Sequence, residues 1–206
     1  MSETAASPAI DATYFDALFD TGDDPWRFRT RWYEARKRAL TLGCLPAPRY
    51  ASAYEPGCAN GELSAALAGR CDRLLVSDVA DRAVELARAR LRGFDHVTVS
   101  KACLPQDWPE TSFDLVVLSE LCYYLDREGL RTLARQVSAS LQPGGSVLAC
   151  HWRHQIAGCQ LDGDQVHSVL EDQLKLPRLC SVVEPDLRID VWSLDPRSVA
   201  EREGLQ

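Results

Sequence analysis

The 206-residue sequence predicts an α/β fold: a mainly parallel, seven-stranded sheet with N-terminal helices and an antiparallel C-terminal hairpin. Short apolar runs rich in β-branched residues alternate with longer stretches of helical period, which is typical of βαβ units. A glycine-containing loop, Glu55 to Gly61, follows the first apolar run. The sequence has no internal repeat, and 46% of its residues are hydrophobic, so we expect one domain with a single core.

Helical patterns dominate the first 45 residues, which we interpret as a cap that precedes the sheet. Two helices are predicted there: Ala12 to Phe19, and Pro25 through Arg38 to about Thr41. The basic and aromatic cluster from Arg27 to Arg38 is interpreted as a solvated amphipathic helix. The predicted organisation is a flexible tail over residues 1–11, one domain over 12–196 with its cap at 12–45, and a C-terminal tail over 197–206.

Periodicity places the remaining elements. The predicted strands are Ala51 to Glu55, Arg73 to Ser77, His96 to Ser100, Phe113 to Leu118 and Ser146 to Cys150, with helices at Glu62 to Ala68, Arg82 to Arg92 and Glu128 to Leu141. Pro143-Gly144-Gly145 is expected to stop the last of these helices. A helix near Asp164 to Leu174 follows, and the apolar runs Leu179 to Val183 and Leu187 to Trp192 predict the closing hairpin.

Composition limits the classes of partner. The net charge is −7 and the pI is near 5.1, which disfavours nucleic acids because their affinity comes from Lys and Arg contacts to phosphates. No apolar run reaches the roughly 18 to 20 residues of a membrane span, and no secretory leader is evident. We expect a cytoplasmic monomer or weak homodimer that acts on a small-molecule acceptor. The eight cysteines form no CxxC pair and are interpreted as buried free thiols, without a metal role.

The spacing of the glycines separates two kinds of nucleotide-binding loop. A dinucleotide GxGxxG fingerprint that starts at Gly57 fails at Ala59 and Glu62, which argues against the interpretation as an NAD-dependent oxidoreductase. An acidic residue followed by glycines at alternate positions, the methyltransferase pattern, matches at Glu55, Gly57 and Gly61 and departs only at Ala59. We expect Glu55 to meet the methionine ammonium group of S-adenosylmethionine, and the following helix N-terminus to meet its carboxylate.

An acidic residue at the end of the second strand supports the same interpretation. Asp78 lies 21 residues after Gly57, close to the spacing at which a carboxylate accepts hydrogen bonds from ribose hydroxyls. Ala102-Cys103 occupies the stretch that often supplies an acid or amide to adenine. Adenine recognition is therefore expected from the backbone, or from Gln106 or Asp107. Helix capping or pairing with Arg82 is the alternative role for Asp78.

With these features the chain resembles class I methyltransferases, and among them the NodS-type N-methyltransferases of nodulation-factor synthesis, from about Tyr14 to Trp192. The matching pieces are Asp24-Pro25-Trp26-Arg27, Tyr33-Glu34, Glu55 to Gly61, Phe113-Asp114-Leu115, Ser119-Glu120-Leu121, Tyr123-Tyr124-Leu125 and Pro143-Gly144-Gly145. The resemblance implies a Rossmann-like fold, S-adenosyl-L-methionine as cofactor, and an amine or amino-sugar oligosaccharide as acceptor. Cys58 and Ser119, which lie in the matched pieces, join the predicted cofactor-binding residues. Trp26 and Arg31 are expected to fold over the cofactor and exclude water, with core packing as the alternative role for Trp26.

Two residues at strand ends are the catalytic candidates. Glu120 follows the fourth strand and is predicted to act as a base or to orient the acceptor amine, with helix entry as the structural alternative. His151 follows the fifth strand and is expected to line the acceptor pocket, with a hydrogen-bonded structural role as the alternative, whereas His154 is expected to be structural. Tyr123 and Tyr124 are interpreted as half-buried packing, with one at the pocket edge. An O-methyltransferase and a non-catalytic S-adenosylmethionine-binding scaffold remain the alternative functions.

Overall fold

The computed structural model describes Ile10 and residues 12–205, and its elements follow the predicted order. The strands are β1 (Ala53–Pro56), β2 (Leu74–Asp78), β3 (Val97–Lys101), β4 (Phe113–Ser119), β5 (Leu141–Trp152), β6 (Arg178–Val183) and β7 (Leu187–Ser193). The α-helices are α1 (Ala12–Phe19), α2 (Trp32–Gly43), α3 (Glu62–Ala68), α4 (Asp81–Leu91), α5 (Arg127–Ser140), α6 (Gly163–Leu174) and α7 (Val199–Arg202). A short 3-10 helix spans Cys122–Tyr124.

All seven strands form one sheet in the order β3-β2-β1-β4-β5-β7-β6. The pairs β5–β7 and β7–β6 are antiparallel, and the other pairs are parallel. The predicted parallel sheet and its closing antiparallel hairpin are therefore confirmed. The strand order reverses between β1 and β4, and the carboxyl ends of two such strands flank a crevice.

Helices cover both faces of the sheet. Leu67 of α3 and Ala87 of α4 belong to the buried cluster on one face, whereas Leu130 of α5 and Leu170 of α6 belong to the cluster on the other. The central strands are consequently buried on both sides. This explains why β4 reads as a continuous apolar run and not as an alternating one.

The second cap helix begins later than predicted, at Trp32 and not at Pro25. The Asp24 carboxylate accepts hydrogen bonds from the backbone N–H groups of Phe28, at 2.8 Å, and Arg29, at 3.0 Å. Arg27 has a left-handed φ of 61°. A side-chain acceptor that takes local backbone donors competes with helix formation, so this segment forms turns.

Two further differences lie at element ends. Helix α5 ends at Ser140, and Pro143-Gly144-Gly145 lies inside β5, so the prediction that this tripeptide separates the helix from the strand is wrong. The segment predicted as a C-terminal tail contains α7, whose Ser198 hydroxyl caps it by accepting from the Glu201 backbone N–H at 3.2 Å.

The predicted tail over residues 1–11 lies, apart from Ile10, outside the described residues. In the described ranges, every helix falls short of the length and apolarity that a bilayer crossing requires. Four of the eight free cysteines, Cys58, Cys71, Cys122 and Cys150, are buried as predicted. Cys103 is exposed, so the prediction of buried thiols is wrong there.

Candidate functional site

A cavity of about 490 Å³ opens at the carboxyl ends of β1, β2 and β4, next to the reversal of strand order. Its walls come from the glycine loop, the end of β2, the turn after β4 and the N-terminal cap. A smaller cavity of about 50 Å³ adjoins it, and the two share the residues Phe28, Glu34, Lys37, Gly57, Ala59 and Glu120. The glycine loop and the turn after β4 therefore face one continuous space.

The glycine loop reaches this space through left-handed backbone. Gly57 has a φ of 73°, and its N–H donates to the Ser77 carbonyl at 2.7 Å. A Cβ on Gly57 would lie 3.3 Å from Cδ1 of Leu121, in the turn after β4. Ala59, where the pattern expects glycine, also adopts a left-handed φ of 47°. The backbone shape of the loop thus persists despite the alanine.

Gly61 matches the methyltransferase pattern and is a predicted cofactor-binding residue, but the structure gives it a different role. It has a φ of 79°, but it is absent from the described walls of both cavities. A Cβ there would lie 3.2 Å from Cα of Ala87, so Gly61 allows α4 to pack against the start of α3. Two other predicted cofactor residues, Cys58 and Ser119, line the smaller cavity.

Asp78 lies on the wall of the large cavity at the end of β2. Its Oδ2 accepts from the Ala59 N–H at 2.9 Å, and its Oδ1 accepts from the Ala80 N–H at 3.1 Å. Burial raises the pKa of Asp78, while these backbone donors act in the opposite direction. The carboxylate therefore joins the glycine loop to the start of α4 at the cavity wall.

Two buried acceptors at the smaller cavity have no hydrogen-bond partner. Glu55 is 2% exposed, and its Oε2 is unpaired; Asn60 is 1% exposed, and its Oδ1 is unpaired. Burial raises the pKa of Glu55 to about 8. Buried polar atoms are ordinarily paired, so a donor group suits this place. Asn60 Nδ2 donates to Asp24 at 3.0 Å, which ties the cap to the loop.

The cap contributes two predicted residues to the large cavity, Trp26 and Arg31. Trp26 stacks on Phe28 with ring centroids 5.4 Å apart and meets Phe19 edge-on at 5.6 Å. It is thus both a cavity wall and part of a small apolar cluster under the cap.

The stretch after β3 reaches the same cavity through Ala102, Cys103 and Leu104. Gln106 and Asp107, the predicted alternatives for adenine recognition, are not among the described wall residues. Asp107 instead accepts a hydrogen bond from the Cys103 N–H at 2.8 Å and braces the loop.

Glu120 lines both cavities from the turn after β4, and its carboxylate is held by three donors. Its Oε1 accepts from Lys37 Nζ at 2.6 Å, and its Oε2 accepts from the Tyr123 hydroxyl at 2.5 Å and the Trp152 N–H at 2.9 Å. Its φ of 54° is left-handed, which a non-glycine residue adopts at a cost. The surrounding contacts hold both the backbone and the carboxylate.

Sequence reasoning missed Lys37 and Glu34. Lys37 is 7% exposed, pairs with Glu34 at 2.9 Å as well as with Glu120, and lies 5.5 Å from the Tyr33 ring centroid. Burial opposes its charge, yet the carboxylates raise the pKa of Lys37 well above its usual value. Glu34, Lys37 and Thr41 share one helical face and are buried, so the helix that was predicted to be solvated and amphipathic buries a polar face.

The structure separates the two histidines from the cavity. His151 is fully buried, is absent from the described wall, and contacts the Cys122 N–H at 3.3 Å and His167 at 3.1 Å. Its predicted place in the acceptor pocket does not agree with this position. His154 is exposed and binds Asp186 at 2.6 Å. Both Tyr123 and Tyr124 line the cavity, and Asp186 is a further wall residue that the sequence did not indicate.

Known proteins are similar to this chain in sequence and in fold. The profile of the family described as Nodulation protein S (NodS) matches residues 18–176. Nodulation protein S of Sinorhizobium fredii is 32% identical over 145 residues, which cover 69% of this chain and 63% of that protein. The chain spans between about half and two thirds of the length of the Nodulation protein S relatives it matches.

Two solved structures extend the likeness. N-methyltransferase NodS from Bradyrhizobium japonicum, in complex with S-adenosyl-L-homocysteine, superposes with a TM-score of 0.80 and 27% identity, over 89% of this chain and 98% of that one. A candidate methyltransferase from Pseudomonas syringae is 51% identical with a TM-score of 0.72, over 79% of this chain and 99% of that one. The expected class I methyltransferase fold is thereby confirmed.

Proposed function

The chain belongs to the Nodulation protein S family, and from that premise we propose that it is an S-adenosylmethionine-dependent N-methyltransferase acting on a small amine or amino sugar. The observation that carries the proposal is one cavity with two chemically distinct parts. The cofactor end comprises the glycine loop and Asp78. The acceptor end comprises Glu120, Lys37 and Glu34 with their aromatic neighbours.

The cofactor end fits the chemistry of S-adenosylmethionine. Glu55 Oε2 and Asn60 Oδ1 are buried acceptors without a donor, and a methionine ammonium group supplies donors of the right charge. Asp78 offers carboxylate oxygens for ribose hydroxyls, and Trp26 and Arg31 close the cap side. When bound, S-adenosylmethionine supplies an electrophilic methyl group. The residues of this chain position the acceptor against it and exclude water.

The acceptor end supports an amine over a neutral hydroxyl. Among the described residues, the charged groups of the cavity wall outside the cofactor end are three carboxylates, Glu34, Glu120 and Asp186, and one cation, Lys37. This excess of negative charge attracts a cationic group. Tyr33 and Trp152 meet edge-on at 5.6 Å and add aromatic surface for an organic cation or a sugar ring.

Glu120 is the group we assign to the acceptor amine. A carboxylate has about four acceptor sites, and three of those on Glu120 are occupied by Lys37, Tyr123 and the Trp152 N–H. The remaining site orients an amine N–H so that the nitrogen lone pair faces the cofactor end. Since methyl transfer needs an unprotonated nitrogen, Glu120 also accepts the proton of an amine that arrives charged.

Labelled S-adenosylmethionine and a panel of amines, amino sugars and matched hydroxyl compounds test this proposal. We expect methyl label on nitrogen, identified by mass spectrometry, and none on the hydroxyl analogues. Binding of S-adenosyl-L-homocysteine without transfer to any compound would support the non-catalytic alternative. Transfer to oxygen alone would contradict the assignment of an amine.

A further inference from the structure

Four buried groups form a continuous chain behind the acceptor end of the cavity. The Cys122 N–H contacts Nε2 of His151 at 3.3 Å, and Nδ1 of His151 contacts Nε2 of His167 at 3.1 Å. Nδ1 of His167 contacts Asp190 Oδ2 at 2.7 Å. His151, His167 and Asp190 are all fully buried, and none of them lines the described cavity walls.

The backbone donor at one end fixes the proton on each ring. Because the Cys122 N–H can only donate, Nε2 of His151 must accept and its proton must sit on Nδ1. That proton is donated to Nε2 of His167, so His167 also carries its proton on Nδ1 and donates it to Asp190. Both neutral rings are therefore Nδ1–H tautomers, and every hydrogen bond in the chain points from the turn toward β7.

The chain of hydrogen bonds begins at the turn that carries Glu120. Cys122 opens the 3-10 helix Cys122–Tyr124, so its N–H has no partner within that helix. Residues on both sides of His151 also hold the turn: the Cys150 carbonyl accepts from the Glu120 N–H at 2.9 Å, and the Trp152 N–H donates to the Glu120 carboxylate. The His151 ring meets the Tyr123 ring edge-on at 5.4 Å.

We infer that His151 and His167 are positioning residues, a one-directional hydrogen-bond lock that holds the Glu120–Tyr124 turn in its strained geometry from behind. They do not shuttle protons, because a proton added to Nε2 of His151 would face the Cys122 donor and break the lock. The role in acceptor positioning rests on the proposed function, whereas the lock itself rests only on these contacts.

The surroundings keep both rings neutral. Around His151 lie Tyr123 from the turn, His167 from α6 and Lys37 from α2; around His167 lie Asp164, Asp190 and Arg188. Burial, His167 and Lys37 lower the pKa of His151 well below 6.5. Burial also lowers the pKa of His167, although Asp190 opposes the shift. Burial raises the pKa of Asp190, but hydrogen bonds from His167 and Arg188 hold it below its usual value.

Nitrogen-15 NMR of histidine-labelled protein tests the lock without any reference to activity. The wild-type protein should show the signals of two imidazoles that are neutral Nδ1–H tautomers throughout pH 6 to 8. The variants His151→Gln and His167→Gln should each lack one of these two signals. His96, whose Nε2 contacts the Ala68 carbonyl at 2.9 Å far from the turn, gives the matched variant His96→Gln, which should leave both signals. An Nε2–H tautomer at His151, or its titration near pH 6.5, would overturn the lock.

Hydrogen exchange and kinetics test whether the lock holds the turn and supports methyl transfer. His167→Leu should speed amide exchange in residues 119–124 and lower methyl transfer by about ten- to a hundredfold, since small misplacements carry such costs. S-adenosyl-L-homocysteine affinity should stay within about twofold, and His167→Gln, which still accepts and donates, should restore both readouts. If amide exchange and the histidine tautomers are as expected but the wild-type protein transfers no methyl group, only the proposed function is contradicted. Unchanged exchange in folded His167→Leu would refute the lock.

Discussion

Lys37 Nζ lies 2.6 Å from Glu120 Oε1 and thereby joins the cap helix to the turn after β4 through a nearly buried ion pair. Glu34 provides the second carboxylate at 2.9 Å. The pair has two roles, because it holds the cap on the sheet and fixes the carboxylate that we assign to the acceptor. Stability and turnover should therefore respond differently to its two halves.

Lys37→Met should destabilise the fold by about 3 to 5 kcal/mol, because it leaves Glu34 and Glu120 without their shared counter-ion.

Glu120→Gln should unfold less readily than Lys37→Met, since Glu34 still neutralises Lys37. Its turnover should fall by roughly 10²- to 10⁴-fold with cofactor affinity retained. Chemical denaturation and steady-state kinetics measure the two effects. Additive destabilisation in the double variant would show that the residues are not coupled.

Gly57→Val should abolish binding of S-adenosyl-L-homocysteine. A β-branched side chain at a φ of 73° is strained, and its Cβ would lie 3.3 Å from Leu121. Gly144→Val is the matched control, because Gly144 has a φ of 78° but a Cβ added there would meet nothing within 4 Å. Calorimetry should find normal affinity in the control only. Equal loss in both variants would attribute the effect to general backbone strain.

Asp78→Asn should weaken S-adenosyl-L-homocysteine binding by about 1.5 to 3 kcal/mol, the range for hydrogen bonds to a charged group. Asp81→Asn makes the same chemical change at an exposed position three residues away, where the carboxylate pairs with Lys101. It should bind normally. Retained affinity in a folded Asp78 variant would remove Asp78 from the cofactor site.

Cofactor binding should depend on pH through Glu55. Burial raises its pKa to about 8, so the free protein holds this carboxyl protonated at pH 7. A bound ammonium group favours the carboxylate, so binding should release a proton and affinity should rise with pH until about 8. Calorimetry in two buffers of different ionisation enthalpy counts the proton. The affinity of Glu55→Gln should not depend on pH in this range. If the pH dependence persists in this variant, another group is responsible for it.

The order of elements and the cofactor loop were predictable because both depend on patterns of residues that are close together in the sequence. The period of apolar residues indicated the strands and most helices, and the acid and glycines at 55, 57 and 61 indicated the loop. The start of α2 was missed because Asp24 competes for backbone donors that a helix would use, and composition near Pro25 does not reveal this competition. The left-handed φ of Ala59 likewise accompanies the hydrogen bond from its N–H to the Asp78 carboxylate, and the residue type does not indicate it.

The sequence by itself determined a parallel α/β sheet with an acidic glycine loop and a carboxylate at the end of β4. Only the tertiary structure decided what that carboxylate meets, because Lys37 is 83 residues away from Glu120 and belongs to a helix that looked solvated. It also withdrew His151 from the cavity and joined it to His167 and Asp190. Secondary structure depends on neighbours along the chain, whereas such pairings depend on how distant elements pack, which no local pattern specifies.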